Sequence, residues 1–242
     1  MRFIRNASTI PPSASPGLRA RGRLILVAVA LAAAAAPAAA IEPFTADYQA
    51  NYMGMKGQGQ MKLVADGAGR WRYTLDISNQ LAKLKQSTVF EEHNGGWRPL
   101  SGDDSTSVFV KNSRKAATYD WGQGTASWTG DVKPERAGPV QLKSGDMDAL
   151  LINLALVRDV AAGKPLSYRL VDNGRAKQLD YKITGTEKID VGGQSQQATR
   201  VVSTDGDKET IAWVVKGMPV PARILQREGG KDALDLRVKS VQ

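Results

Sequence analysis

Few residues in this chain are equipped for catalysis, and their types decide which chemistry is open to it. His93 is the single histidine, preceded by Glu91 and Glu92, and there is no cysteine. A transition-metal centre would need further nitrogen or sulfur ligands that this composition does not hold. Hydrolysis through a serine or cysteine nucleophile would need a base, and only His93 has that chemistry. Standing just before Asn94-Gly95-Gly96, it reads instead as a surface residue at a hairpin end. Gly54 to Gly59 is glycine-rich, but no helix follows and no Lys-Ser/Thr closes it, so it is not a phosphate loop. The expectation is a protein with no metal and no cofactor.

Carboxylates are the remaining catalytic option. Asp103-Asp104 and Asp146 with Asp148 are the nearest pairs in sequence. The first lies in a Ser/Gly/Asp stretch that reads as a solvated turn. The second is accounted for by helix capping and the helix dipole. A carboxylate-dependent enzyme acting on envelope polysaccharide would need two acids facing each other across a cleft. A non-enzymatic protein is the stronger expectation.

Soft and aromatic side chains are distributed more suggestively. Met53, Met55 and Met61 surround the first hairpin, Trp71 and Tyr73 share a face of the following strand, and Met147 and Leu151 belong to the central helix. Such residues line adaptable apolar pockets, and they fill ordinary cores equally well. Met53, Met55, Trp71, Tyr73, Met147 and Leu151 form the expected binding set, with a lipid or other amphiphile as ligand. Trp97, Trp121 and Trp128 lie beside glycine-rich hairpins. Exposed, they would stack on sugars or grip a partner; buried, they would cover the end of a sheet.

The element that must position these residues is a helix expected over about 146–162. Met147, Leu150, Leu151, Leu154 and Val157 recur at three-and-four spacing, with Ala161 continuing the stripe. Ile152 and Leu156 point the other way, so the helix is apolar over most of its circumference and needs cover on two sides or a cavity to line. Asp146 is the expected N-cap and Gly163 the left-handed stop.

Strands read on both sides of that helix. Arg70 to Ser78 alternates strictly, with Trp71, Tyr73, Leu75 and Ile77 on one face. Comparable stretches are 44–53, 59–65, 88–93, 115–119, 166–171, 177–184, 198–204, 209–215 and 233–240. Asn173-Gly174 and Asp205-Gly206 are two-residue hairpin signals. Tight turns join antiparallel neighbours, and a sheet of about ten or more strands must curl. The fold class is therefore mainly β: a strongly curved antiparallel meander, a half-barrel or open barrel, holding one central apolar helix.

The beginning of the chain speaks to compartment. Residues 1–40 carry Arg2, Arg5, Arg19, Arg21 and Arg23 without an acid, then an unbroken Leu/Ile/Val/Ala run from Leu24 to Ala36, then Pro37 and three alanines. That is the three-part pattern of a signal peptide, with cleavage expected after Ala40 and a periplasmic protein as product. Residues 41–242 then form a single exported domain with no integral membrane span. The chain holds 33 bases and 24 acids; without the leader's five arginines the excess is only four and is scattered, so nucleic acid is a poor partner.

Three local patterns resemble a bacterial envelope family known as a domain of unknown function, DUF3108. They are Tyr48-Gln-Ala-Asn-Tyr-Met-Gly-Met-Lys-Gly57, Asp148-Ala-Leu-Leu-Ile-Asn-Leu154, and Trp213 followed by Met218-Pro-Val-Pro-Ala-Arg-Ile224. Pro221-Ala222 ahead of Arg223 departs from the family pattern, which more often runs from proline and valine directly into the arginine. The resemblance implies an exported strand-rich domain and names no activity. In outline the fold also resembles periplasmic lipoprotein carriers and other amphiphile-binding half-barrels. The expected partners are thus a lipid or other amphiphile, or else an envelope protein in an assembly or structural role.

Overall fold

The computed structural model describes residues 41–52 and 54–242. Residues 1–40, which carry the expected leader, and Met53 of the expected binding set lie outside the described residues. The first eight strands are β1 (Phe44–Tyr52), β2 (Met55–Ala65), β3 (Arg70–Ser78), β4 (Ala82–His93), β5 (Gly96–Val108), β6 (Lys111–Asp120), β7 (Thr125–Gly130) and β8 (Val140–Gln141). A two-residue β9 (Asp146–Met147) leads into α1 (Ala149–Ala161), followed by β10 (Ser167–Asp172) and β11 (Arg175–Asp180). The chain ends with β12 (Lys182–Val191), β13 (Gln194–Asp205), β14 (Lys208–Val215), β15 (Arg223–Glu228) and β16 (Lys231–Val241).

Thirteen strands make one antiparallel sheet in the order β12-β13-β14-β15-β16-β1-β2-β3-β4-β5-β6-β7-β8. It is an open curved meander, not closed into a barrel. The chain leaves this sheet at one edge, β8, builds β9, α1, β10 and β11, and returns at the opposite edge, β12. The inserted strands form a second sheet, β11-β10-β9, in which β9 runs parallel to β10. The two halves of the large sheet meet where β1 pairs with β16, from Ala46 opposite Val241 to Tyr52 opposite Leu234.

Alternation explains the walls. On β3, Tyr73, Leu75 and Ile77 are buried while Arg70 and Asp76 face solvent. Their apolar face joins Phe44, Tyr48, Met61, Phe90 and Leu236 in the main core, and α1 contributes Leu150, Leu151, Ile152, Leu154, Ala155 and Leu156 to the same cluster. The helix is covered on both sides, as its composition requires. Its stripe stops short of Ala161, which is exposed.

β14 does not follow the half-buried pattern expected of 209–215. Ile211 through Val215 are all buried, with Ala212 in the main core and Ile211, Trp213 and Val215 in a second cluster with Ala198, Ala222 and Leu225. Both faces of that strand are covered. A third cluster holds Tyr119, Ala126 and Trp128 of the large sheet against Val171 of β10.

The hairpin chemistry is specific. Asn173 and Gly174 both have positive φ, 48° and 68°, as a type I′ turn demands. At the other predicted turn Asp205 still pairs with Lys208, so the bend is Gly206-Asp207, one residue later than expected. The stretch 177–184 is two strands: the chain ends β11 at Asp180 and enters the large sheet at Lys182.

Candidate functional site

The helix begins three residues later than its apolar spacing predicts, and the reason locates the site. Asp146 and Met147 are held extended by pairing with Arg169 and Leu170 of β10. The N-cap is therefore Asp148, in extended conformation, and its Oδ1 accepts from Leu151 N–H at 2.7 Å. Asp146, the expected cap, instead accepts from the Lys143 amide at 2.8 Å and pairs with Arg169.

Asp148 has a second role that capping does not require. Its Oδ2 accepts from the Thr88 hydroxyl on β4 at 2.5 Å. Both residues are buried, and burial pushes the Asp148 pKa up to about 7 against the lowering effect of the two hydrogen bonds. Beside it stands Asp104, which lies within β5 and not in the turn that its sequence implied. Burial also raises the Asp104 pKa, with Lys115 at 3.7 Å acting in the opposite direction. Asp104 and Gly102, two apart on β5, share a face; Gly102 pairs with Thr88 and Ala117 and lies under Asp148.

Together with Gln86, Tyr119, Trp128, Leu150 and Asp172 these groups enclose a cleft of about 30 Å³ at the N-terminal end of α1. Trp128 closes it from β7. Its indole Nε1–H is buried with no hydrogen-bond partner in the protein, an uncommon condition for a buried donor. Tyr119, by contrast, donates to Val171 O at 3.0 Å. The cleft thus offers three carboxyls and one ammonium, with a carboxyl able to exchange a proton near neutrality. It has room for a water or two, whereas sites for whole small molecules run to about 300 Å³ or more.

None of the described residues of the expected binding set lines this cleft. Tyr73, Met147 and Leu151 are buried together in the main core, and Trp71 packs against its margin. Met55 is half-buried at the start of β2. Tyr73 donates to the Met61 sulfur at 2.9 Å. Leu150 belongs both to the core and to the cleft lining.

The three glycine-flanked tryptophans form no exposed platform. Trp97 stacks edge-on with Phe90 and lies under Arg158, Trp121 donates to Pro99 O at 2.7 Å, and Trp128 is buried. His93 is exposed at the end of β4, next to the turn, as its sequence context indicated. Thr88, Lys115, Trp128 and Asp172 carry no local sequence signal; they converge from β4, β6, β7 and β10.

An open antiparallel sheet curved around one apolar helix, with a polar cleft at that helix's start, defines a β-barrel-like domain of the unclosed kind. A family model described as "Protein of unknown function (DUF3108)" matches residues 47–231, and the chain belongs to that family. No curated protein matches it in sequence. Among solved structures it is similar to a β-barrel-like protein of the domain of unknown function DUF1849 from Brucella abortus. The identity is 11%, the match covers 83% of this chain and 97% of that one, and the TM-score is 0.50. That likeness concerns fold alone. A weaker match is the Pseudomonas aeruginosa MucA/MucB complex, at 12% identity and TM-score 0.38, covering 83% of this chain and 51% of that one.

Proposed function

We propose that this chain is a non-enzymatic binding protein of the bacterial envelope, exported by the leader read in residues 1–40, that takes up an amphiphile along α1. The apolar part of the ligand lies between α1 and the concave sheet, among Trp71, Tyr73, Met147 and Leu151. Its polar end sits in the cleft at the start of the helix. The observation that carries this reading is the continuity of the two regions through Leu150, so that a polar cleft abuts an apolar core. That layout is complementary to a molecule with one polar and one apolar end.

The closely packed interior makes α1 the moving wall. Admission of a chain requires the helix to lift from β3 and β4, and each buried CH₂ of the ligand then contributes about 0.8 kcal/mol. Three carboxyls against one lysine favour a hydroxyl- or ammonium-bearing head over a phosphate. A polysaccharide hydrolase is disfavoured by the size of the cleft shared by Asp104 and Asp148.

Native mass spectrometry of the protein isolated from the periplasm without detergent, followed by organic extraction, tests the reading. A bound amphiphile released on denaturation is the expected result, and it should be lost on replacing Trp71 with aspartate while the fold is retained. A clean protein mass that stays unchanged when envelope lipids are added back refutes it.

One observation favours a second reading, assembly through protein contacts. β12 is a ten-residue edge strand whose side chains are almost all exposed, and such an edge can accept a strand from a partner. Cross-linking in cells that captures a stoichiometric protein through β12, independently of Trp71, would establish that reading.

A further inference from the structure

The turn between β5 and β6 breaks the rule the other tight hairpins obey. Asn94-Gly95, Asn173-Gly174 and Gly229-Gly230 place asparagine or glycine where φ is positive. Between Val108 and Lys111, which pair, the two turn residues are Phe109 and Val110. Phe109 adopts φ +53°, a region that bulky side chains rarely occupy. It is 71% exposed and Val110 is 96% exposed. The Phe109 amide donates to Leu81 O at 3.0 Å, which ties the β3–β4 connection to this turn. Leu81 is also exposed, so three large apolar side chains project from one end of the large sheet.

The charges nearest to them along the strands are basic, with Asp76 opposite Lys85 and Asp131 at Arg114 further from the tip. The segments 79–85 and 105–114 contain Lys83, Lys85, Lys111 and Arg114 and no carboxylate, and all four are exposed. Lys83 pairs with Ser107 and Lys111 with Val108, which puts both within about 7 Å of the apolar tip along the strands. Arg114 is engaged by Asp103. Lys83, Lys85 and Lys111 form no ion pair among the described residues.

We infer that this tip docks the protein on an anionic lipid bilayer, with Leu81, Phe109 and Val110 entering the interface and Lys83 and Lys111 meeting acidic headgroups. The site goes beyond the amphiphile reading and does not depend on it. A bilayer fits where a protein does not, because specific protein interfaces bury about 1,000 Å² or more against a complementary surface. A narrow convex tip of three side chains presents no such area, whereas a fluid interface moulds itself around a wedge. Apolar insertion combined with a basic collar is also the two-signal arrangement that reversible membrane attachment needs.

Vesicles of phosphatidylglycerol and phosphatidylcholine in equal parts, sedimented with the purified protein, provide the test. The expected result is binding that weakens at least about tenfold on pure phosphatidylcholine or in high salt. The double variant Phe109→Ser/Val110→Ser should lose at least about tenfold while its thermal unfolding stays unchanged or improves. Because the chain has no cysteine, Val110→Cys carrying an environment-sensitive dye locates the contact directly, and its emission should shift blue on the mixed vesicles. Wild-type protein that ignores the vesicles, a folded double variant that binds normally, or a dye that senses no apolar phase overturns the inference. So does a tip-dependent protein partner captured in the absence of any vesicle binding.

Discussion

Replacing Asp148 with asparagine should change the pH dependence of stability more than it changes packing. The folded carboxyl titrates at about 7, raised by burial from an ordinary value of 3.8. Between those two values the folded protein keeps a proton that the unfolded chain has released. Stability therefore falls as pH rises, by about 1.4 kcal/mol per pH unit. Across roughly three units the loss is about 4 kcal/mol, complete above pH ~7 and absent below pH ~4, where both states are protonated. Asparagine keeps an acceptor for the Leu151 amide, caps as well as aspartate, and donates to Thr88 in place of receiving from it. It has no proton to lose. Asp148→Asn should match the parent protein near pH ~4.5 and exceed it by about 3 kcal/mol near pH ~8. Urea unfolding followed by tryptophan fluorescence across that range reads the difference directly. Parallel stability curves for the two proteins, or an asparagine variant that is the weaker one in mild alkali, would refute the argument, because the slope would then come from other groups.

Three further outcomes follow from the packing. Leu151→Ala empties a fully buried position in the main core and should cost about 2–5 kcal/mol in chemical denaturation. At Gly174, φ is +68° and an added Cβ would lie 2.2 Å from the Arg136 carbonyl oxygen. Gly174→Ala should therefore cost at least about 2 kcal/mol, visible as a lowered melting temperature. Arg223 meets Asp235 through Nε and a terminal nitrogen at 2.8 and 2.9 Å and covers the Trp213 ring at 4.5 Å. Burial alone would raise the Asp235 pKa, but hydrogen bonds from Arg223 and Arg237 outweigh it and hold the group below its ordinary value. Such a group stabilises above the unfolded pKa and loses that contribution as pH falls through the folded one. Arg223→Lys, which forfeits the paired geometry, should cost about 1–2 kcal/mol near neutrality and show a shallower loss of stability on acidification.

What could be read from the residues depended on whether burial was one-sided. β3 was legible to its ends because one face meets the core and the other meets water. β5 left no alternation, since most of its residues are half-buried whichever way they point, and it was not foreseen at all. The join of β11 to β12 was invisible because both strands have the same period and only tertiary structure separates their sheets. At the helix start, Asp146 and Asp148 are equally good caps in sequence; two backbone pairings with β10 decide between them. The cleft is a product of register, assembling Thr88, Asp104, Trp128 and Asp172 from four strands, and no local spacing encodes that. The family resemblance reached the DUF3108 family through short patterns, none of which touches the cleft's far wall.

The pairing of β1 with β16 puts the two ends of the described chain in the interior of the sheet. Thr45 and Gln242 exchange both of their backbone hydrogen bonds at 2.9 Å. A protease or premature stop that removed β16 would not trim a margin. It would divide the sheet in the middle and leave β1 and β15 as two fresh, apolar-faced edges of the kind that recruit other chains. Each half is built from consecutive hairpins, but the seam between them cannot form until residues almost two hundred positions apart are both present. The strand that joins the halves is the last one described, so its loss exposes two half-sheets, whereas loss of the edge strand β12 would only narrow one.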